Sequence, residues 1–331
     1  LDDLIKYVRS GKECRLLLVG DNAQLPPVGA DYSPALDESV MQGYGDVMYA
    51  SMDDVVRQDI DSGILFNATM LRCMIEGDID EIPQFDMRFP DFEAIGGLDI
   101  MEKLQDAYDK YGGDETIIIT RSNKRANQYN EGIRRRILYR EEELNRGDIL
   151  MVVKNNYYWR EVLGREDKSL LDKLDFIANG DVAEVVRVGG VEEMYGFRFA
   201  DVTLSLVDYD DCEIDVKIML DTLVSESPSL TKEENERLFN AVWEDYPDIR
   251  SKRKRMEKVR NNPYYNAIQV KYGYAVTCHK AQGGQWQRVF IDQGYVTPDM
   301  MGIDYYRWLY TAFTRASEKL YLVNWSDKQV Y

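Results

Sequence analysis

The sequence predicts an α/β fold that combines a parallel sheet with a small inserted β-barrel, and two patterns support this prediction. First, short apolar runs alternate with helical patterns, which indicates buried parallel strands joined by helices. The apolar runs are Cys14–Val19, Thr116–Thr120, Val289–Asp292 and Leu320–Val323, and the helical patterns are Asp99–Tyr111, Ser122–Leu138 and Asp304–Ala316. Second, strand patterns in the middle of the chain follow one another without helices, which predicts a barrel over Asn145–Leu220.

Length and composition limit the class of protein. A chain of 331 residues with 44% hydrophobic content is long enough for two or three domains with their own cores. It contains no run of about 18 apolar residues and no signal segment, so we expect no membrane association and a cytoplasmic location. Leu1 is not a methionine, and we therefore expect the chain to be an excised piece of a longer protein.

Metal binding through cysteine and histidine is not expected. The four cysteines are scattered along the chain and there is a single histidine, whereas a structural zinc site needs four such ligands at close spacing. We expect reduced thiols, as in cytosolic proteins.

The charge is distributed unevenly. A net charge of −18 argues against a general nucleic-acid-binding surface, which should be basic. Two basic islands stand out, Arg250–Arg260 and Arg134–Arg136 with Arg140. For the first island two alternatives stay open, a solvated charged helix and a surface that contacts DNA or another protein.

Polar motifs begin where predicted strands end, which is where ligands gather in parallel sheets. The first is Gly20–Gly29, GDNAQLPPVG. The neutral amide of Gln24 can hydrogen-bond a phosphate oxygen or an attacking water, and Pro26-Pro27 would stiffen the loop around it. The alternative is an ordinary proline-rich turn.

The second motif is AVTCHKAQGGQW, which begins at Ala275. Thr277, His279 and Lys280 suit contacts to backbone phosphates. Gln282–Gly284 could open a helix whose bare N–H groups would bind an anion. Neighbouring residues on a strand point to opposite faces, so Cys278 and His279 are not expected to form a catalytic dyad. The alternative is that His279 only caps or packs.

The third motif is YTAFTRA, Tyr310–Ala316, which predicts Arg315 late in an amphipathic helix. A helical arginine commonly forms a salt bridge. It can also reach a nucleotide's γ-phosphate as an arginine finger, which is worth about 10³–10⁵ in rate.

Together these motifs resemble a superfamily 1 helicase, closest to the RecD-like branch that contains the α subunit of exodeoxyribonuclease V. GDNAQLPPVG is similar to motif III of that family, TCHKAQGGQW to motif V and LYTAFTRA to motif VI. TIIITRSNKRANQYN is similar to the strand and helix that open the second RecA-like domain. The resemblance covers nearly the whole chain and is weakest at Asp221–Gln269.

The resemblance implies a RecA-like P-loop helicase motor with an inserted SH3-like β-barrel. It predicts the end of the first RecA-like domain at 1–98, the second at 99–144 and 270–331, the barrel at 145–220 and a charged helical insert at 221–269.

Residue roles follow from the same resemblance. Gln24 would sense the γ-phosphate, Arg315 would be an arginine finger and Gly283 would lie beside the nucleotide. Arg57, within Val56-Arg57-Gln58, would be a second γ-phosphate arginine. The residues expected to hold single-stranded DNA phosphates are Asn123, Thr277, His279 and Lys280. The aromatic run Tyr157–Trp159 would be either a base-stacking surface or barrel core.

One part of the family's machinery is not in this sequence. There is no GxxxxGK[ST] loop and no acidic Walker B pair, and both would lie upstream in this family. ATP and Mg²⁺ would be held mainly by that upstream part, so this chain alone is not expected to hydrolyse ATP.

The predicted function is therefore part of an ATP-dependent DNA helicase that moves 5′ to 3′ on single-stranded DNA in recombination and repair, with nuclease or repair proteins as possible partners. Two alternatives remain. One is a catalytically inactive nucleic-acid-binding or assembly module, and the other is an RNA helicase of the same superfamily.

Overall fold

The computed structural model describes residues 1–52, 61–166, 168, 174–210 and 212–331. This part of the chain divides into two compact units. The first unit contains residues 1–104 and 282–331, and the second contains residues 105–281.

The first unit has a three-stranded parallel arrangement in which β10 (Ala316–Val323) lies between β1 (Phe92–Ile95) and β9 (Trp286–Asp292). Leu320 of β10 is in register with Phe92 of β1 and with Val289 of β9. Parallel neighbours need a crossover, which the helix between β9 and β10 provides. The elements of this unit are α1 (Asp2–Ser10), α2 (Glu38–Gln42), α3 (Gly63–Glu76), β1 (Phe92–Ile95), β9 (Trp286–Asp292), α10 (Ile303–Phe313) and β10 (Ala316–Val323).

The core of the first unit is aromatic. The Phe313 ring lies 5.1 Å from that of Phe85 and 5.2 Å from that of Phe92, measured between centroids. All three side chains are fully buried, and α3 packs against α10. This packing fixes α10, and with it the motif at Tyr310–Ala316, against the unit.

The second unit combines one parallel strand pair with a closed barrel. In the pair, β2 (Thr116–Thr120) and β8 (Ala275–Thr277) run parallel, with Thr120 in register with Thr277. Among the described residues the helices of this unit are α5 (Asn123–Arg136), α6 (Tyr158–Glu166), α7 (Lys232–Glu244), α8 (Lys252–Arg260) and α9 (Cys278–Ala281); α4 (Ile100–Tyr111) leads into it from the first unit.

The predicted barrel is present, but it uses a strand from outside the predicted range. Its five strands are β3 (Ile149–Val152), β4 (Val182–Met194), β5 (Phe197–Leu206), β6 (Cys212–Met219) and β7 (Ile268–Tyr272). The prediction placed the barrel within 145–220. β7 closes it by pairing antiparallel to β3 and parallel to β6, so both edges of the sheet are covered. Its SH3-like identity stays a prediction.

The two charged helices α7 and α8 belong to the same core as the barrel. Val242 of α7 and Val259 of α8 are fully buried in a cluster that includes Phe197 and Phe199 of β5 and Met219 of β6. The helices therefore pack on the barrel through their apolar sides and present their charged sides outward. The predicted division into four parts stays a prediction.

One predicted strand is wrong. Cys14–Val19 has no strand geometry, and Leu17 and Val19 are 84% and 71% exposed. Within the described residues no strand pairs with this run. An apolar run becomes a buried strand only when a neighbour accepts its backbone hydrogen bonds and covers its side chains.

Among the described residues, no helix has the length and apolar character needed to span a membrane. All four cysteines are free thiols, of which Cys212 and Cys278 are buried.

Candidate functional site

Three of the motifs that carry the resemblance meet within the first unit, at the loop that contains Leu25. The backbone N–H of Leu25 donates to the Thr311 hydroxyl at 2.9 Å. The Gln282 side-chain amide donates to the Leu25 carbonyl at 3.2 Å. The Gly20–Gly29 loop is thus hydrogen-bonded both to α10 and to the segment that follows α9.

The Gly20–Gly29 loop is also joined to α3 and α10 by an ionic cluster of Asp21, Arg72 and Tyr310. Arg72 Nη1 lies 3.1 Å from one Asp21 oxygen and donates to the Tyr310 hydroxyl at 2.9 Å. The Tyr310 hydroxyl donates to the other Asp21 oxygen at 3.0 Å. Burial, followed by the Asp21 charge, raises the pKa of Tyr310, so this hydroxyl stays protonated and keeps donating.

Sequence reasoning missed Arg72 and Tyr310 as members of this site. Tyr310 lies inside the YTAFTRA motif, and its place there could have identified it from the sequence. Arg72 had none, because only the packing of α3 against α10 brings it to Asp21.

Gln24 is positioned by the turn that Asp21 forms. Asp21 accepts from the backbone N–H of Ala23 at 3.0 Å through its side chain, and from the N–H of Gln24 at 3.1 Å through its carbonyl. Such Asx turns fix short loops. The Gln24 side-chain amide lies 3.5 Å from Asp21 Oδ2, at the outer limit of a hydrogen bond, so little holds it there.

Arg315 lies in the turn after α10, not within the helix as predicted. The Thr314 hydroxyl donates to the carbonyls of Tyr310 and Thr311 at 2.9 and 3.1 Å. These local bonds compete with the helical ladder at its last turn, and β10 begins at Ala316. The arginine therefore occupies the junction between helix and strand.

The Arg315 guanidinium is buried, with 4% of the residue exposed. It donates to the carbonyls of Thr311 and Gly284 at 3.0 and 3.1 Å, and to the Thr314 hydroxyl at 3.1 Å. The bond to Gly284 connects this motif to the glycine pair.

The Gln282–Gly284 segment follows a helix instead of opening one, contrary to the prediction. The four-residue α9 ends at Ala281, and Gly283 then adopts φ +86°, a conformation that favours glycine. A Cβ at Gly283 would meet no atom of the described residues within 4 Å. The reason for glycine here is thus the backbone conformation, and the space beside it is open.

Cys278 and His279 also lie in α9, so the strand argument used to separate them is wrong. Cys278 is fully buried whereas His279 is exposed.

The residues predicted to hold DNA lie in the second unit, at the end of the β2–β8 pair. Because Thr120 and Thr277 are in register, the start of α5 and the residues after Thr277 share one edge. Asn130 holds α5 on β8 by donating to the Ala275 carbonyl at 2.9 Å and accepting from its N–H at 2.8 Å. Thr277 is half-buried, and α9 continues directly from it.

Asn123 is engaged with another segment. Its side-chain amide donates to the Glu226 carbonyl at 2.9 Å, and Asn127, one turn later, donates to the Val224 carbonyl at 2.7 Å. Asn123 and Asn127 thus fasten the 224–226 segment across the start of α5.

Lys280 has an unusual environment for a lysine. Its ammonium is buried and makes no hydrogen bond within the described residues. Burial, and secondarily the nearby Lys271, lowers the pKa of Lys280 to about 8. Burial likewise lowers the pKa of Lys271 to about 8, and Lys271 donates to the Thr222 carbonyl at 3.2 Å. Within the described residues neither ammonium forms a salt bridge with a carboxylate, so an anion that approached would be stabilised here.

The remaining predicted residues are placed as follows. Arg57 lies outside the described residues. Trp159 is buried and donates to the Asn266 carbonyl at 2.9 Å, so it belongs to the core. Tyr157 is 58% exposed and stacks on Phe176, with ring centroids 4.9 Å apart. Within the described residues, no group of acidic, histidine or cysteine side chains has the arrangement of a metal site.

One protein-family model matches part of this chain. Residues 272–323 match the UvrD-like helicase C-terminal domain. This segment contains Thr277, His279, Lys280, Gly283 and Arg315. No curated protein is similar enough in sequence to count as a match.

The chain is also similar to solved structures of Pif1 helicases. It is 13% identical to Pif1 helicase from Candida albicans, with a TM-score of 0.43, over 94% of this chain and 63% of that one. A Pif1 structure described for DNA unwinding at forked duplex DNA has 12% identity, a TM-score of 0.43 and coverage of 94% and 61%. Pif1 helicase from Bacteroides in complex with ADP-AlF3 and single-stranded DNA has 12% identity, a TM-score of 0.34 and coverage of 94% and 63%. The chain spans less than two thirds of the length of each.

The environment of Lys280 predicts a pH dependence. An approaching phosphate favours the charged lysine, so binding takes up a proton, and we expect affinity for a single-stranded oligonucleotide to fall as pH rises above about 8. For one linked proton the decline approaches about tenfold per pH unit. Fluorescence anisotropy between pH 6.5 and 9.5 measures this decline in affinity.

The folding stability should change with pH in the opposite direction. The unfolded lysine has its ordinary, higher pKa and binds more protons, so the free energy of unfolding should rise over the same interval.

The matched variant is Lys280→Arg, which stays charged over this range and should flatten the affinity profile. An identical profile in the variant and the original protein would show that Lys280 is not the titrating group.

Proposed function

We propose that this chain is the C-terminal part of a superfamily 1 helicase that couples ATP hydrolysis to movement on single-stranded DNA. The observation that carries the proposal is the hydrogen-bonded meeting of three motifs in the first unit. Leu25 contacts Thr311 and Gln282, and Arg315 contacts Gly284. These hydrogen bonds join the loop that carries Gln24 to α10, and the buried Arg315 to the glycine pair. A domain with a purely structural role has no need for this arrangement.

The donor set fits a nucleotide's γ-phosphate. Arg315 supplies guanidinium donors held by neutral carbonyls, Gln24 supplies a loosely held amide, and Gly283 leaves the space beside it open. In the proposed mechanism Arg315 stabilises charge on the transferred phosphoryl group and Gln24 orients the attacking water. Arg57 is proposed as a second arginine of this kind.

ATP and Mg²⁺ are proposed to be held mainly by a phosphate-binding loop that precedes this chain in the longer protein. The described residues offer no acidic cluster for Mg²⁺, so no residue of this chain is assigned to the metal. The ion would supply charge neutralisation at the phosphates.

The DNA contacts are proposed at the end of the β2–β8 pair. Thr277 and His279 are accessible there, and the buried charge of Lys280 is satisfied once it turns toward a phosphate. Asn123 contributes through its backbone or through the segment that it fastens. Lys280, a proposed DNA contact, and Gln282, which lies at the proposed nucleotide site, are two residues apart in the chain. A displacement of Gln282 on nucleotide binding would therefore be transmitted to Lys280 through a very short stretch of backbone.

The finer proposals are a RecD-like type, 5′-to-3′ travel, and a role in recombination or repair with nuclease or repair partners. Their support is the motif resemblance. An RNA helicase of the same superfamily would make the same phosphate contacts, and only contacts to the 2′-hydroxyl would separate the two substrates.

An unwinding assay tests the proposal. The longer protein, in which this chain follows a phosphate-binding loop, is given duplexes with a 5′ or a 3′ single-stranded tail. The proposal expects ATP-dependent unwinding of the 5′-tailed DNA duplex and little with an RNA tail of the same sequence. Strong unwinding on RNA tails would favour the RNA helicase. Binding of tails without unwinding would favour an inactive binding module.

A further inference from the structure

The basic helix α8 has an outward surface that the proposed motor does not use. Its sequence with the preceding residues, RSKRKRMEKVR, holds seven basic residues and one acidic residue between Arg250 and Arg260. We propose that the outward face of α8 binds the phosphate backbone of a nucleic acid as a second contact surface. This inference depends on the proposed function only in taking the partner to be a nucleic acid.

The helix is firmly placed, so its face is a surface and not a loose tail. Val259 is fully buried in the core shared with the barrel. Arg255 donates to the Trp243 carbonyl on α7 at 2.9 and 2.6 Å and lies 4.4 Å over the Trp243 ring. Ser251 caps the first turn by accepting from the Lys254 N–H. Arg255 is thus a packing residue, and the other cations of the helix are the available ones.

The available cations are exposed and unpaired. Within the described part of the chain, no salt bridge or side-chain hydrogen bond involves the following residues: Lys252, Arg253, Lys254, Lys258 and Arg260. Elsewhere exposed helical cations do pair at the i,i+4 spacing, as Arg135 does with Glu131 at 3.1 Å. A solvated charged helix commonly shows mixed charge with such pairs, and α8 does not.

The cluster is unfavourable for the helix itself. Lys252, Arg253 and Lys254 occupy the first turn, where the helix dipole disfavours positive charge, and no acidic residue lies there. Neighbouring like charges add repulsion. A bound polyanion removes both penalties.

Charge complementarity favours a nucleic acid as the occupant. The whole chain carries a net charge of −18, which repels a phosphate backbone unless one surface reverses the sign locally. The face of α8 has only one acidic residue, Glu257, so it makes the local surface charge positive. This helix lies in the same unit as Lys280. Phosphates recur regularly along a strand, so successive cations can each neutralise one.

The test is the salt dependence of nucleic-acid binding by this chain. The test variant carries Lys252→Gln, Arg253→Gln and Lys254→Gln and keeps Arg255. Binding to a single-stranded oligonucleotide and to a duplex is followed by fluorescence anisotropy between 50 and about 300 mM salt. Three lost phosphate contacts should lower the slope of log K against log salt by about 2 on a single strand, or about 2.7 on a duplex. The arm in which the loss reaches its own expected value identifies the form of nucleic acid that α8 meets.

The matched control carries Lys6→Gln, Lys12→Gln and Arg15→Gln, three exposed cations of the first unit, and changes the net charge equally. Its slope should stay that of the original chain. The melting temperature of the test variant should be unchanged or higher, because its three exposed side chains form no salt bridge or hydrogen bond within the described residues.

Two results would overturn the inference, and they are distinguishable. If the original chain binds nucleic acid and the α8 variant keeps its slope, only this inference falls, and an acidic protein becomes the alternative occupant. If the original chain binds neither oligonucleotide, the proposed function falls with it.

Discussion

Replacing Arg315 by alanine should lower the ATP hydrolysis rate of the longer protein by about 10³- to 10⁵-fold, the range measured for arginine fingers. The guanidinium is already fixed by the carbonyls of Thr311 and Gly284. It therefore needs little reorganisation to stabilise charge on a transferred phosphoryl group. Steady-state phosphate release in the presence of single-stranded DNA measures the effect.

Two variants separate this role from support of the turn. Arg315→Lys keeps the charge but not the planar fork, and should recover only a small part of the rate. Arg288→Gln alters another largely buried arginine of the first unit, which donates to Glu318 at 2.8 Å, and should leave the rate within a few-fold. A rate for Arg315→Ala within tenfold of the original, at unchanged melting temperature, would exclude Arg315 as a catalytic residue.

Replacing Asp148 by asparagine should lower the free energy of unfolding of this chain by about 3–5 kcal/mol, the usual cost of breaking a buried ion pair. The Asp148 side chain is fully buried. It accepts from Arg134 through two bonds of 3.0 Å, from Arg140 at 2.8 Å, from the Tyr274 hydroxyl at 2.9 Å and from the Asn145 N–H at 2.7 Å. Asparagine would leave Arg134, which is 8% exposed in its side chain, with an uncompensated buried charge.

Urea unfolding followed by circular dichroism measures this loss. The control is Asp208→Asn, an exposed carboxylate of the same unit, which should change the free energy of unfolding by less than about 0.5 kcal/mol. A loss below about 1 kcal/mol for Asp148→Asn would mean that the two arginines find other acceptors or water.

The buried strands show what an apolar run can and cannot predict. Thr116–Thr120 and Leu320–Val323 were predicted correctly, because each is apolar and each has a parallel neighbour. Cys14–Val19 is equally apolar but has no partner strand within the described residues. Ile268–Tyr272 closes a barrel whose other strands begin more than 100 residues earlier, at β3, and no local pattern indicates that pairing.

The candidate site was predictable to the extent that it lies in contiguous motifs. Gln24, Gly283 and Arg315 could be named because each stands in a run of residues with a recognisable chemistry. Arg72 could not, since its role comes from the packing of one helix on another. The burial of Lys280 also depends on tertiary structure, because neighbouring segments and Lys271 set its environment.

ATP hydrolysis with and without single-stranded DNA, by the longer protein that carries the phosphate-binding loop, tests the central claim most directly. If this chain is the C-terminal part of a DNA motor, the hydrolysis rate rises severalfold or more when single-stranded DNA is added. The rise disappears in Arg315→Ala. A rate that DNA does not change, and that Arg315→Ala does not lower, would contradict the account.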